Sequence, residues 1–400
     1  MENQGNWVTE RSVEKILDST LRAARDCEAT HIHIEPFEST FRVRLRIGGS
    51  FEEHSSHPRE LLSPLVQHVK NLSGMDAAET RLPQSGVLHQ NYSEGSVKFW
   101  VESTPGIAGE RLCLHNRFSS LLSRDLSQLG MDEQPMDAYR QATLLATSGL
   151  VILNGPTGSG KNSTAYATLR ALAKQGRSLA TAEWSEWGEL IPGVNHVVVN
   201  HEIGVTFASC IRQFRRSDLD AAYIREMLDF ETAEQVIRAV VENNMLVLVC
   251  MNVKDSVSTL FRLKNMGIEP WLVSASVTLA QAQRVLRKLC PDCKLEAKIP
   301  AKVLIEAGCP PDEAENLRAF RPGGCSFCRH SGYRGTLMVA ESMPFTASLQ
   351  ESFLSGRSED ELDHLATKLG FERLRRSALN RLREGQTSLD EVLLRTPASP

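Results

Sequence analysis

Two hydrophobic periods alternate along the first part of the chain, and together they predict an α+β domain over residues 1–117. Residues 11–28 repeat apolar side chains at helical spacing, while residues 31–35 and 41–47 alternate at the period of a half-buried strand. Gly48-Gly49 indicates a turn after the second strand. The remaining elements expected here are a helix near 61–72 and strands around 87–90, 97–103 and 111–115.

The pattern changes after a polar stretch that we interpret as a linker over residues 118–128. Short apolar strands then alternate with helices, which predicts an α/β domain over 129–285 with a mostly parallel sheet covered on both faces. The expected strands lie near 150–154, 179–182, 196–199, 221–224 and 245–251. A cysteine-containing module is expected over 286–335, followed by a helical region over 336–400 that is rich in Leu, Arg and Glu.

The overall composition excludes several classes of protein. The hydrophobic fraction is 41%, the charged fraction is 24% and the net charge is −4, which are values of an ordinary globular protein and do not suggest a nucleic-acid partner. The sequence contains no apolar run of 18 residues and no apolar signal peptide at its start. We therefore expect a cytoplasmic protein without a membrane span.

One strand, over residues 150–154, runs directly into a phosphate-binding motif. The G-x-x-x-x-G-K pattern and the first helical turn that follows predict a nucleotide-binding loop, formed by Gly155, Pro156, Thr157, Gly158, Ser159, Gly160, Lys161, Asn162 and Ser163. Asn162 stands where Ser or Thr would offer a hydroxyl to Mg²⁺. The loop therefore predicts ATP binding, whereas its magnesium chemistry is in question.

Two C-x-x-C pairs predict a metal site. Cys290 and Cys293 are separated by 31 residues from Cys325 and Cys328. Four thiolates complete the tetrahedral shell of a structural Zn²⁺ ion and leave no open position for catalysis. The alternatives are reduced cysteines in turns and a redox dithiol, although a redox site needs only one pair.

With these features in view, the chain resembles the bacterial secretion-motor ATPases, which are the hexameric ATPases of type II secretion (general secretion pathway protein E) and of type IV pilus assembly. The motifs that carry the resemblance, besides the phosphate loop, lie at residues 29–36, 74–79, 81–84, 203–208, 229–234, 289–293 and 332–335. The resemblance implies a RecA-like P-loop NTPase domain, a ring of six subunits, homomeric or mixed, and partners in an inner-membrane platform. It begins at the family's second N-terminal domain, so we expect the first, membrane-docking domain to be absent.

The resemblance also assigns catalytic carboxylates and exposes departures from the family pattern. Glu183 corresponds to the acidic box at 181–186, and Glu226 corresponds to the carboxylate near the γ-phosphate. The departures are Asn162 in the loop, Trp184 for aspartate, Arg225 for glycine, Leu228 for arginine, Cys250-Met251-Asn252-Val253 without the family's histidine, Ser85-Gly86-Val87 for Asp-Gly-Arg and His115 for arginine. Because phosphoryl transfer depends on positioning and charge, these losses predict weak or lost hydrolysis.

Arg42, Arg44 and Arg46 share one face of the second strand. In the family, arginines of this domain reach toward the bound nucleotide, but a solvated strand face is an equally good interpretation. His31 and His33 also share a strand face, and we do not expect them to bind a metal.

Two functions from different classes follow. One is a nucleotide-binding subunit of a type II secretion or type IV pilus assembly machine, with weak or lost ATP hydrolysis. The alternative is an active hexameric ATPase that drives pilus or pseudopilus assembly. Both place the chain in the cytoplasm, peripheral at the inner membrane when it is docked there.

Overall fold

The computed structural model describes residues 2–92, 95–116, 125–184 and 190–397. The chain divides into two compact units, Met1–Leu121 and Leu122–Pro400. Most of the predicted linker, residues 118–124, lies outside the described residues. Each unit has its own hydrophobic core and is described by itself.

The smaller unit is an antiparallel sheet with two helices packed on it. Its elements are α1 (Glu2–Asp26), β1 (His31–Pro36), β2 (Thr40–Ile47), β3 (Ser50–Pro58), α2 (Leu62–Leu72), β4 (Gln84–Tyr92), β5 (Gly95–Thr104) and β6 (Arg111–Asn116). Within the described residues its six strands take the order β3-β2-β1-β6-β5-β4. Alternate apolar residues such as Ile32 and Ile34 in β1 pack against Leu17 and Leu65 from the helices. The α+β prediction for this region is confirmed.

Strand β3 has no counterpart in the hydrophobic pattern. It pairs antiparallel with β2 at the edge of the sheet, and none of its nine residues is buried. Its sequence, Ser50-Phe-Glu-Glu-His-Ser-Ser-His-Pro58, contains a single large apolar side chain. An edge strand that buries no face does not need alternating apolar residues, so periodicity does not reveal it.

The larger unit is built on a mostly parallel sheet. Its elements as far as the last central strand are α3 (Glu133–Thr143), β7 (Gly149–Asn154), α4 (Lys161–Lys174), β8 (Leu179–Glu183), β9 (Val194–Val198), α5 (Phe207–Phe214), β10 (Ala221–Ile224), α6 (Phe230–Asn243) and β11 (Leu246–Met251). Alternate residues of β7 enter two separate cores: Leu150 and Ile152 pack with α5 and α6, and Val151 and Leu153 pack with α3 and α4. Helices therefore cover both faces, as the sequence predicted.

Two long strands beyond those predicted from the sequence complete this sheet. The chain continues through α7 (Ser256–Asn265), α8 (Pro270–Ser276), β12 (Val277–Leu289), β13 (Leu295–Ala297), α9 (Ala301–Glu306), α10 (Pro311–Ala314), β14 (Ala319–Arg321) and β15 (Tyr333–Pro344). In the described residues the sheet order is β15-β12-β7-β11-β10-β8-β9, with β15 antiparallel to β12 and the other neighbours parallel. The boundaries placed at residues 285 and 335 fall inside β12 and β15. The cysteine-containing segment, residues 290–332, is therefore an excursion of the chain that connects β12 to the outermost strand, β15.

Four helices end the described chain, namely α11 (Ala347–Leu354), α12 (Glu359–Lys368), α13 (Leu374–Arg383) and α14 (Leu389–Arg395). Leu374 and Leu382 of α13 pack with Leu286 of β12 and Val339 of β15 in a fourth core. The helical C-terminal region is confirmed from Ala347 onward, whereas residues 336–344 of the predicted range belong to β15.

None of the helices in the described ranges is long and apolar enough to cross a membrane.

A buried carboxylate joins β15 to two neighbouring helices. Glu341 is 2% exposed and accepts hydrogen bonds from the backbone N–H groups of Ser256 (2.7 Å) and Leu374 (2.8 Å). It also pairs with Arg373, whose Nη1 lies 3.2 Å from Oε1.

We expect Glu341→Gln to lower the free energy of unfolding of the larger unit by about 3 kcal/mol, because Arg373 then keeps its charge in a buried place with one carboxylate partner fewer. Urea unfolding followed by circular dichroism measures this change. The exposed Glu351→Gln is the matched control and should change the free energy by less than about 0.5 kcal/mol. Equal stability of the two variants would contradict a structural role for Glu341.

Candidate functional site

The phosphate loop follows the carboxyl end of β7, which is an interior strand of the parallel sheet. All six residues of β7 are buried, and the strand lies between β12 and β11. Because β7, β11, β10 and β8 are parallel, the residues that follow them all lie at the carboxyl ends of these strands, on one side of the sheet. We call this side the carboxyl edge. The site is assembled there from segments far apart in sequence.

Two glycines allow the loop to fold back against β12. Gly155 has φ +145°, and a Cβ atom there would lie 2.5 Å from Ser159 Oγ and 2.6 Å from the carbonyl oxygen of Gln283. Gly160 has φ +88° and immediately precedes the 14-residue α4, which starts at Lys161. The loop thus ends at a helix N-terminus, where backbone N–H groups and the helix dipole favour an anion.

The other loop residues form an exposed tip and a buried base. Pro156, Thr157 and Gly158 are exposed, whereas Ser163 in the first turn of α4 is half-buried. Ser159 is 3% exposed, and its hydroxyl oxygen has no hydrogen-bond partner among the described residues. A buried hydroxyl of this kind indicates a place where a further polar group binds.

The side chain of Lys161 lies within the loop. Its ammonium group donates hydrogen bonds to the carbonyl oxygens of Gly155 and Pro156, the second at 3.0 Å. Burial lowers the pKa of Lys161, and the positive charges of Arg225 and Arg284 lower it further. A phosphate group would relieve both effects by adding a negative charge next to the ammonium group.

Asn162 has its own hydrogen-bond partner at the position where the motif requires a hydroxyl. Its Oδ1 accepts a hydrogen bond from the Tyr223 hydroxyl at 3.3 Å, and that hydroxyl also lies 3.4 Å from Cys250 Sγ. Burial raises the pKa of Tyr223 well above its usual value, so the hydroxyl keeps its proton. The neighbouring Thr164 does not supply the missing hydroxyl, because it is fully buried and donates to Gln283 Oε1 at 3.1 Å.

Glu183, at the end of β8, belongs to a buried hydrogen-bond network. It is 3% exposed, and its two carboxylate oxygens accept from the Tyr166 hydroxyl at 3.0 and 3.1 Å. His196 Nδ1 lies 3.7 Å from Glu183 and 3.1 Å from the Thr181 hydroxyl, while Nε2 accepts from the backbone N–H of Ile191. The acceptor role of Nε2 places the ring proton on Nδ1. These contacts hold Glu183 as a structural acceptor.

Trp184 contacts the second predicted carboxylate. Its indole N–H donates to Glu226 Oε2 at 3.0 Å. The indole ring also stacks on His201, with centroids 5.0 Å apart, and meets the edge of Phe207 at 4.9 Å. Ser185 and Glu186, which complete the predicted acidic box, lie outside the described residues. Trp184, which replaces the family's aspartate, therefore donates a hydrogen bond to one oxygen of Glu226. Glu226 is the carboxylate that we expect to orient the attacking water.

Arg225 places a permanent positive charge at the carboxyl end of β10. It follows β10 directly, and its backbone N–H donates to the carbonyl of Ala182 in β8 at 3.0 Å. The Nη1 atom is buried. Burial opposes the charged form, but interactions with Tyr223, Cys250 and Glu183 raise the pKa of Arg225 overall. The guanidinium is therefore charged at every physiological pH.

Three polar residues that no sequence motif indicates hold the phosphate loop in place. Gln283 Nε2 donates to the carbonyl oxygen of Ser159 at 2.9 Å, and Gln281 Nε2 donates to Gln283 Oε1 at 3.1 Å. Ser342 of β15 donates to Gln281 at 2.8 Å. This buried chain fixes the base of the phosphate loop to β12. The alternation of Ala280 and Ala282 with the two glutamines was the available signal for a strand here.

The four predicted zinc ligands meet in space. Among the described residues, their sulfur atoms form the one group of potential metal-ligand atoms that all lie within 4.8 Å of one another. The Sγ–Sγ distances are 4.0 Å for Cys290–Cys325, 3.6 Å for Cys293–Cys328 and 3.7 Å for Cys325–Cys328. Sulfurs at tetrahedral positions about 2.3 Å from Zn²⁺ are about 3.8 Å apart. The donor set and its spacing therefore fit zinc.

Backbone N–H groups donate to two sulfur atoms of this cluster. The N–H groups of Cys325 and Gly332 each donate to Cys328 Sγ at 3.2 Å, and Gly324 donates to Cys293 Sγ at 3.2 Å. Burial works against ionisation of Cys328, but these hydrogen bonds lower its pKa to about 7. Gly323 is required next to them, because a Cβ atom there would lie 2.1 Å from the Cys293 carbonyl oxygen.

In the smaller unit, the arginines of β2 pair within their own sheet. Arg44 lies 2.7 Å and Arg42 3.5 Å from the carboxylate of Glu35. Burial lowers the pKa of His31 to about 3 and of His33 to about 4, so both imidazoles are neutral. The pairing with Glu35 explains the positions of Arg42 and Arg44 without any bound nucleotide. That arginines of this strand reach toward a nucleotide stays a prediction.

Known sequences similar to this chain include ATPases of type IV pilus assembly and of type II secretion. A family model described as Type II/IV secretion system protein matches residues 7–394. The type IV pilus assembly ATPase PilB of Myxococcus xanthus (strain DK1622) is 38% identical over 384 residues, covering 95% of this chain and 67% of that protein. The type II secretion system ATPase E of Vibrio cholerae serotype O1 is 34% identical over 388 residues, covering 96% of this chain and 75% of that protein. The chain spans about two thirds of the length of the pilus assembly ATPases of Myxococcus xanthus and Acinetobacter baylyi, and 43% of that of Thermus thermophilus.

Solved structures show the same fold. The ATPase DotB of Legionella pneumophila aligns with a TM-score of 0.67 at 14% identity, covering 95% of this chain and 94% of that one. The pilus retraction motor PilT with bound ADP aligns with a TM-score of 0.58 at 16% identity, covering 95% and 96%. At these identities the likeness is one of fold.

Proposed function

This chain belongs to the Type II/IV secretion system protein family, and from that premise we propose that it is a nucleotide-binding subunit of a type II secretion or type IV pilus assembly machine, with weak or lost ATP hydrolysis. The observation that carries the proposal is the hydrogen bond from the Trp184 indole to Glu226, in a chain whose phosphate loop keeps its glycines and Lys161. The loop binds the nucleotide, and the tryptophan limits the chemistry.

Nucleotide binding is supported by the groups that the loop offers. The buried Ser159 hydroxyl, the Lys161 ammonium group and the N-terminus of α4 lie together at one end of β7. None of these groups depends on Asn162. A nucleotide phosphate supplies the negative charge and the acceptor oxygens that this arrangement favours.

Weak hydrolysis is supported by the hydrogen bonds that Glu226 and Glu183 make with neutral side chains. Glu226 must orient water near the γ-phosphate, but one of its oxygens accepts from an indole that is itself held between His201 and Phe207. Glu183 is turned toward Tyr166. Transition-state stabilisation requires such groups to be preorganised toward the phosphate rather than toward neutral protein donors.

The second candidate is an active hexameric ATPase that drives assembly. It is favoured by Glu226 itself, which is retained at the carboxyl edge and is half-buried. The names of the relatives, type IV pilus assembly ATPase and type II secretion system ATPase, also support it. ATP turnover by the purified chain, with and without Mg²⁺, separates the two candidates.

We also propose the setting in which the subunit works. It takes its place in a ring of six subunits, homomeric or mixed, in the cytoplasm, where the ring docks on inner-membrane platform proteins. The relatives' assignment to secretion and pilus systems supports this setting. A structural Zn²⁺ held by Cys290, Cys293, Cys325 and Cys328 stabilises the excursion between β12 and β15.

The nucleotide-binding role is tested by Lys161→Ala. We expect a several-fold or larger loss of affinity for fluorescently labelled ATP or ADP, measured by anisotropy, because the loop loses its one lysine. Lys174→Ala, at the exposed end of the same helix, is the matched control and should bind as the parent does. Equal affinity of all three proteins would remove the loop from the site.

A further inference from the structure

Tyr223 of β10 lies under the first turn of α4, next to the loop residue that replaces the usual hydroxyl. Its side chain is fully buried and packs in one core with Ala165 and Leu169 of α4. Its ring also meets the ring of Tyr166 edge-on, with centroids 6.4 Å apart. Because these contacts hold the ring, packing fixes the position of the Tyr223 hydroxyl group.

The Tyr223 hydroxyl determines how the Asn162 amide is turned. It donates to Asn162 Oδ1 at 3.3 Å, and burial raises the pKa of Tyr223, so the donated proton stays on the hydroxyl. The two ends of an amide differ, because the oxygen only accepts hydrogen bonds and the NH₂ group only donates them. With the oxygen held on the side of Tyr223, the NH₂ group is directed away from β10. The Asn162 side chain is half-buried, and its Nδ2 has no hydrogen-bond partner in the described part of the chain.

An amide in this orientation does not fit a magnesium ligand. Mg²⁺ is bound by oxygens in a nearly octahedral shell, and the usual loop hydroxyl supplies one of them. The Asn162 oxygen is bonded to Tyr223, and the hydrogens of an NH₂ group carry partial positive charge that repels a cation. The same hydrogens suit an anion, since each N–H can donate to a phosphate oxygen, as the backbone N–H groups at a helix N-terminus do.

We propose that Tyr223 is a positioning residue for the nucleotide, which holds the Asn162 amide so that its NH₂ group donates to a phosphate oxygen where related loops bind Mg²⁺ through a hydroxyl. The inference rests on the nucleotide-binding function proposed above and assigns to this position of the site a preference for phosphate over metal. Asn162 and Tyr223 then act as one unit, although 61 positions separate them in the chain.

Tyr223→Phe tests the inference, because it removes one buried oxygen atom and frees the amide to turn its own oxygen toward the ligand. Affinity for fluorescently labelled ADP is measured by anisotropy in magnesium-free buffer and again with MgCl₂. We expect MgCl₂ to tighten ADP binding at least about fivefold in the Tyr223→Phe protein and less than about twofold in the parent. Tyr139→Phe removes another buried tyrosine hydroxyl, which lies 2.7 Å from Thr168. It is the matched control and should respond to MgCl₂ as the parent does.

Asn162→Asp is the second test, since it exchanges the NH₂ group for an oxygen atom with little change in shape. The new carboxylate still accepts from Tyr223, but it repels phosphate oxygens and attracts Mg²⁺. We expect the magnesium-free affinity for ADP to fall at least about tenfold, and MgCl₂ to restore most of the loss.

A parent chain whose affinity rises with MgCl₂ as much as that of the Tyr223→Phe protein would overturn the inference and leave nucleotide binding intact. Unchanged magnesium-free affinity in the Asn162→Asp protein would do the same. If the parent binds no ADP in either condition, the inference and the proposed function both fail. If circular dichroism shows that Tyr223→Phe is unfolded, the half-buried Asn162→Asp change decides alone.

Discussion

Replacing Cys328 with serine is expected to reduce the zinc content from one ion per chain to nearly none and to unfold the excursion between β12 and β15. The four thiolates release protons when they bind the metal, and the binding energy of a structural Zn²⁺, on the order of 10 kcal/mol, is then part of the folding energy of the segment. Cys328 also accepts two backbone hydrogen bonds, from Cys325 and Gly332. Metal analysis of protein purified without added zinc measures the first effect, and hydrogen exchange across residues 290–332 measures the second.

The phosphate loop should keep its nucleotide in this variant, because it is held by β7 and Gln283 rather than by the cysteines. Cys27→Ser changes a thiol in the other unit and is the matched control, with full zinc content expected. Full zinc retention by Cys328→Ser, or a parent chain without zinc, would show that these cysteines are ordinary turn residues.

Restoring three family residues together is expected to raise ATP hydrolysis at least about tenfold above the parent, since single groups that stabilise phosphoryl transfer are worth on the order of 10² to 10³ in rate. The changes are Asn162→Thr, Trp184→Asp and Arg225→Gly. The first returns a hydroxyl for Mg²⁺, the second returns an acidic group and releases Glu226, and the third removes a competing cation. Phosphate release in the presence of Mg²⁺ measures the outcome.

Asn162→Thr alone should do little, because Glu226 stays bonded to Trp184 and Arg225 stays in place. The matched control joins Asn162→Thr and Arg225→Gly to Trp271→Asp, an exposed tryptophan of α8. It should not reach the rate of the full combination. A parent chain that already hydrolyses ATP as fast as a pilus assembly ATPase measured beside it would disprove the proposal of weak hydrolysis.

Local periodicity predicted most elements of both units, and the family assignment from motifs is confirmed by the match over residues 7–394. No position was predicted for β3, for β12 to β15 or for α7 to α10. The edge strand β3 buries no residue, so its sequence carries no alternation. Strand β12 is buried on both faces, with residues 279–284 all buried, and its glutamines bond to each other, to Ser159 and to Ser342. Its one short alternation, from Ala280 to Gln283, sets apolar against polar residues that are all buried, so it does not mark a solvent-exposed face.

The candidate site divides in the same way. The loop from Gly155 to Ser163 is a continuous segment, so its residue types alone indicate phosphate binding. The replacement of an aspartate by Trp184 was visible in the sequence, but its contact with Glu226 joins residues 42 positions apart. The hydrogen bond between Tyr223 and Asn162 spans 61 positions. Strand order brings these partners together, and no local pattern encodes it.

The sequence by itself thus determined the chemistry that short segments carry: the phosphate loop, the C-x-x-C spacing and the period of each amphipathic element. Residues a few positions apart share a turn or a face, so their types fix the local structure. The tertiary structure alone decided which distant groups meet at the carboxyl edge: Trp184 binds Glu226, and Tyr223 binds Asn162. The physical reason is that the parallel sheet gathers the ends of separate strands at one edge, where burial and charge act between residues that are remote in sequence.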